Sequence, residues 1–151
     1  MALPTSIELQ IVTPDKLLVR EQVDEVEIPG SEGYFGVLPG HTPLLASLAV
    51  GELWYRKGQE KTYVSIAFGF AEVLPTRVTI LAQLAERAEE IDPARAEEAR
   101  RRAEERLAQA KNVDYERARA ALAKALTRLQ VASRIQLAGR VGHRVRPPQQ
   151  S

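Results

Sequence analysis

Glu89 and Glu90, His41 and His143, and the pair Asp92 and Arg95 are the residues of this chain on which chemistry could be built. Adjacent carboxylates can exchange a proton as acid and base. Here they stand directly before a run of helix formers, where negative charge meets the positive end of a helix dipole. His41 belongs to IPGSEGYFGVLPGHTPLL, residues 28–45, with no second histidine nearby and no cysteine in the chain. Neither a zinc site nor a thiolate nucleophile can be assembled around it, and a contact or hydrogen-bonding role is expected. His143 lies in a basic tail and is expected to be solvated. Gly30, Gly33 and Gly36 recur every three residues, but Pro39 and Pro43 follow where a dinucleotide cradle needs a helix, so these glycines serve turns. The phosphate loop GxxxxGK[ST], the HExxH pair and the GxSxG elbow are all missing from the sequence. The expectation is recognition without catalysis, with no catalytic residue and no metal ligand.

Composition narrows the partners. The 151 residues carry 21 Lys and Arg against 20 Asp and Glu. The near-balance hides a division, because residues 1–90 hold 7 basic and 13 acidic side chains and residues 91–151 hold 14 and 7. A basic second part is expected to face an acidic partner or a polyanion. It contains one aromatic residue, Tyr115, so it lacks the stacking platform of a single-strand binder. Electrostatic binding to a duplex stays open but is weakened by the Glu residues that balance Arg along the first helix, and the expectation is no nucleic-acid partner. The opening MALPTSIELQIVTP has neither the basic segment nor the apolar core of a leader, and no window reaches the about 18 to 20 apolar residues of a membrane span. Membrane association is expected only through a complex, and the lack of cysteine favours an intracellular setting.

The elements that must position these residues change character part-way along the chain. Up to about Leu84 the apolar residues alternate: Ile7, Leu9 and Ile11; Val26 and Ile28; Val64 and Ile66; Val78 and Ile80. TPDK, IPGSEG, LPGHTP, RKGQEK and LPTR separate these runs. Period two with frequent turns predicts an all-β sandwich of eight to ten short strands over residues 1–86.

Residues 87–92 read as a linker and 93–139 as an antiparallel helical hairpin, since Ala94 to Leu137 contain neither Gly nor Pro. Asp92 before Pro93 is an N-cap signal, Asp114 is expected to cap the second helix, and Gly139 to end it. Glu97/Arg101 and Glu98/Arg102 are spaced to pair along the first helix. The inward stripes are alanine-rich: Ala96, Ala99, Ala103, Leu107 and Ala110 on one helix, Ala118, Leu122, Ala125, Leu129 and Ala132 on the other. Such seams bury little area, so a hairpin that docks and undocks is expected. Residues 140–151 read as a basic, disordered tail.

IPGSEGYFGVLPGHTPLL, then GFAEV at 69–73, IDPARA at 91–96 and VDYERA at 113–118 occur in an order that resembles the epsilon subunit of bacterial F-type ATP synthase, over about residues 5–136. The resemblance implies a non-catalytic rotor subunit on the cytoplasmic face of the plasma membrane. Its β-sandwich would contact the gamma subunit and the ring of c subunits, and its helices would inhibit ATP hydrolysis when extended among the alpha and beta subunits. It further implies that Ser31, Glu32, Tyr34 and His41 face the c ring, with Tyr34 standing where some relatives have an acidic residue.

IDPARA is similar to a family motif that helps bind ATP as a regulatory ligand, no cofactor being required. This implies a site of Asp92 and Arg95 with Lys124 and Arg128 from the second helix. Arg117, Lys124, Arg128 and Arg134 are the cations implied for inhibitory contact with beta. Phe68, in SIAFGFAEV, stands where relatives commonly have glycine. Two readings from other classes stay open at the level of sequence: a stand-alone ATP-binding module and a basic helical nucleic-acid-binding protein.

Overall fold

The computed structural model describes residues 3–109 and 113–142. Seven strands run β1 (Ile7–Val12), β2 (Leu17–Val23), β3 (Glu25–Gly30), β4 (Gly33–Val37), β5 (Leu44–Lys57), β6 (Glu60–Val73) and β7 (Arg77–Arg87). A short 3-10 turn, Ala88–Glu90, leads to helices α1 (Pro93–Gln109) and α2 (Val113–Gly142). The strands form one hydrogen-bonded sheet in the order β2-β1-β7-β6-β5-β3-β4, with β1 and β7 parallel and every other pair antiparallel. The sheet curls over itself into a β-sandwich-like body. Ile7, Leu9 and Ile11 of β1 share one core with Val26 and Ile28 of β3 and with Val64 and Ile66 of β6. Burial of these alternating side chains is the main source of stability.

There are seven described strands, fewer than the eight to ten expected, because β5 and β6 each run for 14 residues through glycines that resemble strand breakers. Gly51 and Gly69 sit inside these strands for reasons of space. A Cβ on Gly69 would collide with the Leu81 carbonyl, and one on Gly51 with the Tyr34 hydroxyl. The backbone at Gly69 has φ 124, and Phe68 before it has φ 62. That left-handed conformation explains why glycine suits position 68, and a phenylalanine there carries about 1 to 3 kcal/mol of strain.

The helices begin where the local chemistry directs. Asp92 Oδ1 accepts the Ala94 and Arg95 N–H groups at 3.0 and 3.4 Å, and Pro93 fills the first helical position. Arg100, rather than Arg101 or Arg102, makes the ion pairs of α1, with Glu97 one turn before it and Glu104 one turn after at 2.6 Å. Hydrogen bonding from Arg100 holds the Glu97 carboxyl below the usual carboxylate range. Ala96 and Ala103 are the buried members of the α1 stripe, whereas Ala99 and Leu107 are half-buried.

Helix α2 starts at Val113, which puts Asp114 inside its first turn rather than at the cap. It also continues through Gly139 to Gly142, past the expected boundary at residue 140. One internal glycine costs about 1 kcal/mol, too little to stop an otherwise strong helix. Ala110, Lys111, His143 and the rest of the tail lie outside the described residues. Among the described residues no helix is long and apolar enough to cross a membrane.

The hairpin is docked. Val131 and Ala132 of α2 close a small second cluster with Ala88, Ile91 and Ala96, flanked by Tyr63 and Leu129. Every residue of the main core, in contrast, lies between Ile7 and Ala85. A fragment ending at Glu86 is therefore expected to keep a cooperative thermal transition by circular dichroism. A broad, non-cooperative melt would show that the hairpin completes the sandwich.

Candidate functional site

The β3–β4 connection is a tight turn fixed to β5. The Ser31 N–H donates to the Ser47 carbonyl at 2.9 Å, the two serine hydroxyls are in contact, and Gly33 takes φ 125. Ser31 and Glu32 are exposed, and Tyr34 is 57% exposed. The β3–β5 register is interrupted between Glu27 and Gly30, around Pro29, which has no N–H to donate. Tyr34 reaches across this gap, and its hydroxyl accepts the Glu52 N–H at 3.1 Å. Together with Leu44, Leu45 and Ala46, the turn lines a groove of about 450 Å³.

His41 is held separately, in the β4–β5 connection, where Nδ1 donates to the Thr42 carbonyl at 2.6 Å and the neighbouring Gly40 N–H reaches the Pro75 carbonyl at 2.8 Å. The structure thus gathers Ser31, Glu32 and Tyr34 on one turn and leaves His41 on the next.

A second surface lies on the outer face of the long strands. Phe70 pairs across to Leu81 on β7 and to Ser47 on β5, and Leu45 projects two residues before Ser47. Phe70, Leu81 and Leu45 are 57%, 52% and 72% exposed. Apolar side chains grouped this way on a folded surface mark a contact with another macromolecule.

The basic residues of α2 mostly turn inward. The Arg134 fork grips Glu52, Nε to Oε2 at 3.2 Å and Nη2 to Oε1 at 2.8 Å, while its guanidinium lies 4.5 Å from the Tyr63 ring centroid. Glu52 is 7% exposed, and its hydrogen bonds raise the Arg134 pKa. Arg128 Nη2 donates to Glu86 Oε2 at 3.2 Å, with Nε 2.8 Å from Oε1. Lys124 Nζ stands 5.5 Å from the centre of the Phe68 ring. Arg117 is exposed beside a polar groove shared with Arg106 and Asp114.

Of the residues assigned to ATP, Asp92 caps α1 and Arg95 is exposed. Among the described residues no hydrogen bond or ion pair joins these two to Lys124 or Arg128. Sequence reasoning missed Glu52 and Glu86, the acceptors of the α2 cations. Glu52 carried a signal: a carboxylate inside the apolar strand LAVGELWY needs a partner if it is buried.

The comparisons with known proteins agree with this two-part architecture. Residues 6–88 match the family model described as the ATP synthase, Delta/Epsilon chain, beta-sandwich domain, and residues 89–133 match the corresponding long alpha-helix domain. The chain belongs to the ATP synthase delta/epsilon family. It is 55% identical over 127 residues to the ATP synthase epsilon chain of Nitratidesulfovibrio vulgaris, covering 83% of this chain and 95% of that one. It is 56% identical over 129 residues to the epsilon chain of Syntrophobacter fumaroxidans, covering 85% and 96%. Among solved structures, a chain of the Euglena gracilis mitochondrial ATP synthase, OSCP/F1/c-ring in rotational state 1, aligns with TM-score 0.73 at 26% identity, covering 91% of this chain and 84% of that one. Family membership makes the chain a structural and regulatory subunit of ATP synthase rather than a catalytic one.

Removing the Arg134 fork leaves a buried carboxylate without its counter-ion. Arg134→Ala is therefore expected to weaken docking of α2 by about 1 to 3 kcal/mol. Amide exchange between Ala125 and Ala132 should accelerate while the sandwich keeps its protection. Unchanged exchange in that segment would show that the apolar seam alone holds the helix.

Proposed function

We propose that this chain is the rotor subunit that couples the membrane c ring to the gamma shaft, and that its hairpin restrains ATP hydrolysis when it leaves the sandwich. In this reading Ser31, Glu32, Tyr34 and His41 face the c ring. The exposed Leu45, Phe70 and Leu81 suit an apolar face of gamma. The subunit would sit peripherally on the cytoplasmic face of the bacterial membrane, held there by the complex. Support comes from the family, from a solved relative in an assembly of F1 with a c ring, and from two exposed contact surfaces on one rigid sandwich.

The observation that carries the regulatory part is the docking of α2 by a small apolar cluster and two Arg–carboxylate pairs. Partly exposed pairs of this kind contribute about 1 kcal/mol each, so the helix is held by interactions that a partner can outbid. Undocking exposes Arg128 and Arg134 beside Lys124 and Arg117, so that these four of the cations of α2 can meet acidic surfaces of the alpha and beta subunits. ATP would act as the regulatory ligand at Asp92, Arg95, Lys124 and Arg128, the basic groups meeting phosphate. The Asp92 cap already fixes the start of α1, so Arg95 is held in position at the helix end.

Replacing both acceptors, Glu52→Gln with Glu86→Gln, releases the hairpin while keeping every α2 cation. In the reconstituted complex this variant is expected to be inhibited in hydrolysis about tenfold more strongly than wild type, a shift of about 1.4 kcal/mol in the docked-to-extended equilibrium. A truncation after Glu90 should abolish inhibition and spare synthesis. Hydrolysis by the double variant equal to wild type would separate docking from inhibition.

Titration calorimetry of the full chain with millimolar ATP tests the nucleotide site, with Arg128→Ala expected to weaken binding. Absence of heat in the wild type would leave Asp92 as a helix cap only.

A further inference from the structure

Glu52 is held from two directions by parts of the chain far apart in sequence. Its N–H is bound to the Tyr34 hydroxyl on β4, 18 residues earlier, and its carboxylate to Arg134 on α2, 82 residues later. Both contacts are long-range, and each meets a need that no other group among the described residues meets. The β3–β5 ladder is interrupted beside Glu52, so its N–H depends on Tyr34, and its buried carboxylate depends on Arg134. Gly51 makes the arrangement possible, because any side chain there would collide with the Tyr34 hydroxyl and with Pro29.

We propose that Glu52 is a relay through which Tyr34 and the docking of α2 are coupled: holding Tyr34 in place favours the docked hairpin, and displacing Tyr34 favours its release. A half-exposed aromatic ring on a turn is open to a partner, whereas its hydroxyl is committed to the strand that carries the hairpin's acceptor. A macromolecule that rotates or pulls Tyr34 takes the acceptor away from the Glu52 N–H. The strand then shifts at residue 52, and the Arg134 fork, which needs the carboxylate aligned with the guanidinium plane, loses its fit. By reciprocity, release of Arg134 loosens the Glu52 N–H. That the partner at Tyr34 is the c ring rests on the function proposed above. The coupling itself is a property of the isolated chain, so the two readings fail separately.

The test is a double-mutant cycle on the full-length chain: wild type, Tyr34→Phe, Arg134→Gln and the pair, followed by residue-resolved amide exchange. Tyr34→Phe keeps the ring over Gly51 and removes only the hydroxyl. It is expected to speed exchange between Ala125 and Ala132 about three- to tenfold, the loss of one hydrogen bond. Arg134→Gln should speed the same segment and also the Glu52 N–H, and the double variant should be no faster in α2 than Arg134→Gln alone. Trp54, the single tryptophan and the cross-strand neighbour of Tyr63, gives an independent fluorescence readout of docking. Ser31→Ala loosens the other anchor of the turn without touching Glu52 and should leave α2 unchanged. The relay is overturned if Tyr34→Phe leaves α2 exchange and Trp54 emission as in wild type. It is equally overturned if the two substitutions multiply, or if Ser31→Ala acts on α2 as strongly as Tyr34→Phe.

Discussion

β5 and β6 pair without a slip in register from Leu44↔Val73 to Lys57↔Glu60, and the remainder of the molecule is arranged around that ladder. At one end it carries Ser47, which anchors the β3–β4 turn, and Phe70, which stands in the exposed apolar row. Toward the other end it carries Glu52 and Tyr63, the residues that receive Arg134. A slip of one residue would turn Glu52 and Ser47 to the opposite face and remove both contacts at once. The ladder also accommodates Phe68 in a left-handed conformation, which persists because the paired strands on both sides leave the backbone no alternative.

Two kinds of cohesion follow. The sandwich is held by a continuous apolar core of Val, Ile and Leu, whose burial contributes about 1.5 to 3 kcal/mol for each large side chain. The hairpin is held by Val131, three alanines, Ile91 and two ion pairs, each pair weakened by water on at least one partner. The sandwich therefore has a far larger apolar core than the seam that attaches the hairpin to it. Two cations of α2, Arg128 and Arg134, turn toward the sandwich, whereas Arg117 and Arg119 project into solvent. In the docked hairpin the charges of Arg134 and Arg128 are satisfied by Glu52 and Glu86.

Long range in sequence is the common property of the contacts that matter most. Arg128 meets Glu86 across 42 residues and Arg134 meets Glu52 across 82. The same holds for the turn, whose Tyr34 is tied to β5 through a gap created by Pro29. No local pattern specifies any of these pairings. The two Arg–carboxylate contacts result from the way the curled sheet brings a strand beneath α2, and the Tyr34 contact from the way it brings β4 within reach of β5.

The amino-acid sequence by itself determined the division into a strand region and a helix region, because periods of two and of about 3.6 are local properties. It determined the start of α1, since Asp92 and Pro93 act on the next few backbone groups alone. The glycine- and proline-rich stretch was legible as turns. Strand length was not legible, because Gly51 and Gly69 look like breakers until the neighbouring Tyr34 hydroxyl and Leu81 carbonyl show why they must be small. The capping role of Asp114 and the stop at Gly139 failed for a related reason: cap signals of about 1 kcal/mol yield to the helix around them. Only the tertiary structure decided that Arg128 and Arg134 face carboxylates of the sandwich, because ion pairing depends on distance in space, and docking of the hairpin is what creates that distance.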